Sequence, residues 1–274
     1  MSTVLDRIVE RTRERLLTEA KPDRRAAEEV AQGRTPFAFR AAIGGRASRP
    51  PGGPEARPPS VNVIAEIKSA SPSAGSIVDD PDVERIARDY ARGGAAAMSV
   101  VTEPEFFRGS RDWIARAKAA AGLPVVMKDF VVEPSQIVRG IAAGADAILL
   151  LASLLDVAQL RDFVAIAEAY GCDALVEVHD EEELGRAIGS GARLIGVNNR
   201  DLRDFRVDLG TSERLGALMP DGVIRVAESG IRTRADVDRL RAAGFNAFLV
   251  GESLLRQDDR AAAVRALVDA EVSS

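Results

Sequence analysis

The feature that most constrains this chain is a rhythm. From Val61 onward, eight short apolar runs alternate with helical patterns to near the C-terminus. The runs fall at 61–68, 96–102, 124–130, 147–152, 174–178, 194–199, 224–229 and 247–251. Each is long enough for one strand and apolar on both faces, as a buried parallel strand should be. Between and after them, helical segments are expected at 82–92, 110–121, 134–143, 156–170, 181–189, 212–218, 234–243 and 259–270. Several open on Ser, Asp or Pro, which suit helix starts. Several close on a glycine device: Arg92-Gly-Gly-Ala, Ala143-Gly-Ala, Ser190-Gly-Ala and Ala243-Gly-Phe. Glycine there reaches the left-handed conformation that ends a helix.

Eight β-then-α units admit a closed barrel or an open doubly wound sheet. No Gly-x-Gly-x-x-Gly follows the first run, so the dinucleotide-binding open sheet loses ground. The count of eight, in a chain of 274 residues, favours the (β/α)8 TIM barrel, whose usual size is about 250. An aromatic content of only 4% against 46% hydrophobic residues means a core built from aliphatic side chains. Residues 1–60 are expected to form an N-terminal helical extension packed on the barrel of residues 61–274. Its parts are amphipathic helices at about 4–20 and 24–32, then a Pro/Gly/Arg-rich loop over 44–60.

Composition narrows the function classes. A net charge of −5 with signs interspersed lacks the basic face that nucleic acid requires. One cysteine, Cys172, allows no internal disulfide or Cys-based zinc site, and one histidine, His179, argues against a His-rich metal centre. No apolar stretch is long enough to span a membrane, and the alternating charges of the first turns do not form a leader peptide. The expectation is a cytoplasmic monomer without a membrane or nucleic-acid partner.

Charge within the apolar runs is concentrated toward their C-terminal ends. The first run ends with Glu66 and Lys68, the third with Lys128, the fifth with Glu177, the sixth with Asn198 followed by Arg200, and the seventh with Glu228 and Ser229. Glu66 and Lys68 are two apart, so they share a face. A lone buried charge is often half of a structural ion pair, but five strands with the same pattern point to a site. Barrel active sites lie at the C-terminal ends of the strands. Two lysines among three carboxylates can serve as acids or anion clamps, and a carboxylate in a dry site can act as a base. Glycines after the seventh and eighth runs, Gly230 and Gly251, and the serine-rich loop around Ser71 suit phosphate. His179, beside Asp180, reads as a loop or helix-start residue; Cys172 and Trp113 read as packing.

At these residues the sequence resembles the indole-3-glycerol phosphate synthase family. The matching pieces are Ile64-Ala-Glu-Ile-Lys-Ser-Ala-Ser-Pro-Ser73, Met127-Lys-Asp-Phe130, Leu175-Val-Glu-Val-His179, Gly196-Val-Asn-Asn-Arg-Asp-Leu202, Ala227-Glu-Ser-Gly-Ile231 and Leu249-Val-Gly-Glu-Ser253. The segment 102–110, with Phe106 and Phe107, resembles that family's loop after the second strand. The resemblance implies a lyase of tryptophan biosynthesis without cofactor or metal. The implied reaction converts 1-(2-carboxyphenylamino)-1-deoxyribulose 5-phosphate to indole-3-glycerol phosphate, CO2 and water. It implies Lys128 as general acid, Glu177 as general base, and Lys68 facing the substrate carboxylate. Glu66 and Asn198 would orient the substrate. Glu228, Ser229, Phe107 and Arg200 would line its pocket, and Ser71, Gly230, Gly251 and Glu252 would hold its phosphate. Glu252 stands where some members carry Ser.

Overall fold

The computed structural model describes residues 3–44, 61–201 and 205–269. Most of the Pro/Gly/Arg-rich loop (45–60), Leu202 and Ala270 lie outside the described residues. Eight parallel strands close into a barrel: β1 (Asn62–Ile67), β2 (Ala97–Val101), β3 (Val125–Lys128), β4 (Ala147–Leu151), β5 (Asp173–Val178), β6 (Leu194–Asn198), β7 (Ile224–Glu228) and β8 (Ala247–Val250). Each pairs in parallel with its sequence neighbours, and β1 pairs with both β2 and β8, closing the ring.

Strand alternation divides the apolar side chains into two layers. Ile64, Ala97, Val126, Leu149, Leu175, Leu194, Val226 and Leu249 fill the lumen. Their neighbours, such as Val63, Val100, Val176 and Val250, face the surrounding helices. Following the inward set up each strand reaches the charged ends: Ile64 leads to Glu66, Val126 to Lys128, Leu175 to Glu177 and Val226 to Glu228. The same period-two rule therefore packs the core below and aims the polar groups above it.

The helices between strands are α4 (Val83–Gly93), α5 (Asp112–Ala121), α6 (Pro134–Ala142), α7 (Val157–Ala169), α8 (Glu181–Gly189), α9 (Gly210–Gly216) and α10 (Arg234–Ala242), with α12 (Arg260–Val268) last. Asp82, Asp156, Asp180 and Thr233 cap their helices through the side chain, which satisfies backbone donors that a helix start leaves free. Gly94, Gly144, Gly191 and Gly244 all have positive φ, as the glycine devices require.

Three further helices precede the barrel: α1 (Val4–Thr18), α2 (Arg24–Gln32) and α3 (Ala38–Ile43). Helix α1 lies over the mouth, where Val4, Leu5 and Ile8 face the cavity. Ion pairs Arg15–Glu103, Arg11–Glu105, Arg111–Glu19 and Arg139–Glu19 tie it to the barrel. Helix α2 packs on α6. Helix α3, not expected from the sequence, closes the bottom: Phe39 and Ile43 are fully buried in the lumen cluster. A short hairpin after β1 (Ala70–Ser71 with Gly75–Ser76) and the single turn α11 (Glu252–Leu255) are likewise not expected from the sequence. Both are too short to leave a periodic signal.

Candidate active site

Every site residue expected from the sequence lines one cavity of about 400 Å³ at the C-terminal mouth of the barrel: Glu66, Lys68, Ser71, Phe107, Lys128, Glu177, Asn198, Arg200, Glu228, Ser229, Gly230, Gly251 and Glu252. Phe130, Arg232 and Arg256 join them.

Lys128 is the hub. Its Nζ lies 2.8 Å from Glu228 Oε2 and 3.3 Å from Glu177 Oε2. Burial works against its charge, but Glu228, Glu177 and Glu66 outweigh burial and raise its pKa. Lys68 pairs with Glu66 at 2.5 Å. Burial pushes the Glu66 carboxyl up, and Lys68 with Lys128 overcomes it, leaving the group below its ordinary value. The site therefore holds two ammonium groups beside buried carboxylates, the pairing that buried charge demands.

The two carboxylates that share Lys128 are not equivalent. Glu177 also accepts from Asn198 Nδ2 at 3.1 Å and faces the His179 ring. Burial raises its pKa, but Lys128, His179 and Asn198 together carry it down. Among the described residues, Glu228 has Lys128 alone, and its Oε1 is buried without a hydrogen-bond partner. Burial therefore dominates, Glu177 adds repulsion, and the Glu228 carboxyl is raised. Neighbouring carboxyls pushed apart in this way can divide acid and base roles.

Two glycines make room for these carboxylates. A Cβ on Gly196 of β6 would stand 2.2 Å from Glu228 Oε1, and one on Gly251 would stand 2.4 Å from Glu66 Oε1. The second asparagine of the pair at the end of β6 is architectural. Asn199 is buried, donates to the carbonyls of Glu228 and Ser229, and accepts from the backbone and hydroxyl of Ser212. Asn198 instead turns to Glu177.

The apolar side of the cavity is formed by Phe107 and Phe130, whose ring centroids are 5.8 Å apart. Glu103 fixes the loop carrying Phe107, accepting from the backbone of residues 105, 106 and 107. On the opposite side, Ser229 has φ 65° and Gly230 φ 81°. A serine in that region carries strain, which clusters at functional sites. A Cβ on Gly230 would meet Val207 Cγ1 at 2.4 Å. Glu252 pairs with Arg256 at 2.9 Å, so its carboxylate faces a cation of its own. Ser71 Oγ accepts from Ala74 N at 3.2 Å and lies 3.3 Å from Ser73 Oγ.

His179 follows β5 and precedes α8, as the sequence reading placed it, yet its ring turns inward between Glu177 and Glu183. The Val-His-Asp sequence gave no sign of this, because both partners are local in chain but meet only through the strand-to-helix turn. Arg232 and Arg256 also line the cavity without being expected from the sequence, where their one signal is a position after the glycine turns that follow β7 and β8.

An acid–base cluster at the mouth of a (β/α)8 barrel, beside an aromatic wall, defines the active site of an enzyme. A family model described as indole-3-glycerol phosphate synthase matches residues 54–267. An indole-3-glycerol phosphate synthase of Koribacter versatilis is 44% identical over 98% of this chain and 100% of its own length. That of Desulfotalea psychrophila is 43% identical over 93% of this chain and 95% of its own. The chain belongs to the indole-3-glycerol phosphate synthase family. Among solved structures, a thiamine phosphate pyrophosphorylase from Pyrococcus furiosus superposes with TM-score 0.56 at 16% identity, covering 76% of this chain and 93% of that one. That likeness concerns the fold alone. Among the described residues, no helix is long and apolar enough to cross a membrane.

Proposed function

We propose that this chain closes the indole ring of 1-(2-carboxyphenylamino)-1-deoxyribulose 5-phosphate, releasing CO2 and water to give indole-3-glycerol phosphate. The observation that carries the reading is Lys128, a partly buried ammonium held between Glu228 and Glu177 at 2.8 and 3.3 Å. An ammonium so placed stays charged and can give a proton to a ketone oxygen as the aniline ring carbon attacks the ketone carbon. Loss of CO2 then restores the aromatic ring. In the last step the hydroxyl left on the former ketone carbon departs as water, with a proton from Lys68. Glu177, held as the anion, takes the proton lost from the ring system.

Lys68 faces the substrate carboxylate, and Glu66, 2.5 Å from Lys68, orients both. Asn198 and Glu66 position the anilino and sugar groups. Phe107 lies along the aromatic ring, with Arg200, Glu228 and Ser229 completing the pocket. The phosphate is received at Ser71, Gly230, Gly251 and the Glu252 turn; the Glu252–Arg256 pair keeps that carboxylate from opposing it. The protein acts without a bound cofactor, as a monomer in the cytoplasm.

Lys128→Ala tests the assignment. It is expected to lower turnover by about 100-fold or more, the range of general-acid contributions, with far-UV circular dichroism unchanged. Indole fluorescence after substrate addition reads it. Full activity in the variant would remove Lys128 from the mechanism; no indole product from the unmodified chain would overturn the reaction.

A further inference from the structure

His179 sits in a chain of three acid–base groups. Its Nδ1 lies 3.0 Å from Glu183 Oε2, and the same carboxylate oxygen accepts the His179 backbone N–H at 2.8 Å. Glu183 is itself fixed: it lies in the first turn of α8, is buried, and its N–H donates to the Asp180 cap at 2.9 Å. One imidazole nitrogen is thus committed to Glu183. The other, Nε2, is buried without a hydrogen bond among the described residues and lies 3.4 Å from Glu177 Oε1. A carboxylate that grips one ring nitrogen fixes the ring's orientation and the proton on that nitrogen. The remaining nitrogen then has one function left, toward Glu177.

The need for such a group follows from the position of Lys128. It lies nearer Glu228 than Glu177, at 2.8 against 3.3 Å, so by itself it favours ionisation of Glu228. His179 approaches Glu177, while Glu228 Oε1 has no hydrogen-bond partner among the described residues. Glu66 and Lys68 form their own pair on β1. Asn198 from β6 reaches Glu177 as a neutral donor. Among these groups from β1, β3, β5, β6, β7 and α8, His179 is the additional cation that tips the balance toward Glu177.

We propose that His179 is a positioning residue for ring closure: clamped by Glu183, it presents Nε2–H to Glu177 and holds that carboxylate ionised and aimed at the substrate. This rests on Glu177 being the base of the reaction. Burial opposes the charge on the imidazole, but Glu183, Glu177 and Glu228 outweigh it and raise its pKa, in keeping with the geometry.

The chain has one histidine, so imidazole NMR reads this residue without assignment. In the unmodified protein the ring should titrate above its ordinary value of about 6.5. Glu183→Gln and Glu177→Gln should each lower that titration, and the neutral ring should carry its proton on Nδ1. His179→Gln should reduce kcat by about tenfold with KM changed less than twofold. The acid limb of its kcat profile should move to higher pH by about one unit, since a tenfold change in ionisation is one unit. Glu183→Gln should shift kcat and limb in the same direction by less. An imidazole titration indifferent to Glu177→Gln, or a His179→Gln enzyme with kcat and acid limb unchanged, overturns the proposal. The titration holds its meaning in a chain with no ring-closing activity, so failure of the reaction and failure of the dyad are told apart.

Discussion

At the scale of single residues, the site works by giving like groups unlike surroundings. Glu177 and Glu228 both touch Lys128, but Asn198 and His179 attend only the first. The expected consequence is a large difference between two conservative variants. Glu177→Gln removes a base held as an anion and should lower kcat by about 100-fold or more. Glu228→Gln replaces a carboxyl already raised toward its neutral form, so it should cost less than about tenfold, one pKa unit of lost interaction with Lys128. Steady-state kcat for the two variants decides it; equal losses would show that the carboxylates are interchangeable. The sequence showed that all these groups share the mouth, because charge at the end of an apolar run is its own signal. It could not show their inequality, which depends on distances across four strands.

At the scale of elements, the inward rows of β1, β3, β5, β6 and β7 end in functional groups, and Gly196 within β6 and Gly251 after β8 leave space for two of them. Gly196 lies in the middle of a strand, where glycine costs roughly 0.5–1 kcal/mol relative to alanine. Its value is the room it leaves for Glu228. Gly196→Ala is therefore expected to separate stability from activity. The melting temperature should stay within a few degrees of the parent, since the strand gains propensity while one carboxylate shifts. kcat/KM should fall by up to about tenfold, because displacements of this order at a reacting centre are costly. Calorimetry beside kinetics checks both; unchanged kcat/KM would mean that Glu228 moves freely. The strands and helices were legible because periodicity and caps are local. Helix α3 was not, and its cause is visible in its start. Phe37 at its N-cap has φ 55° and supplies no side-chain cap. The missing acceptor comes from Asp173 of β5, whose Oδ2 accepts the Arg40 N–H at 2.9 Å across a sequence separation of 133. A helix capped from so far away leaves no start signal in its own sequence.

At the scale of the whole molecule, the N-terminal helices treat the barrel's two ends differently. Helix α1 covers the mouth through ion pairs at its rim, and α3 seals the bottom with Phe39 and Ile43. The bottom seal carries its own electrostatic cost. Asp173 is buried beside the lumen cluster, and Arg40 Nε reaches its Oδ1 at 2.7 Å. Burial still prevails over the Arg40 hydrogen bond and charge, pushing the carboxyl up to about 6 from 3.8. The fold therefore binds a proton between those values that the unfolded chain does not. The stabilising contribution of that proton is full below about pH 4 and is lost as pH rises through about 6. Asp173→Asn cannot titrate, so the gap in melting temperature between the parent and this variant should be largest near pH 4 and should narrow toward pH 7. Thermal melts at intervals across that range measure it. A gap that widens with pH would show that the Arg40 pair stabilises the ionised carboxylate, and that the bottom of the barrel is held by charge instead of by the apolar plug.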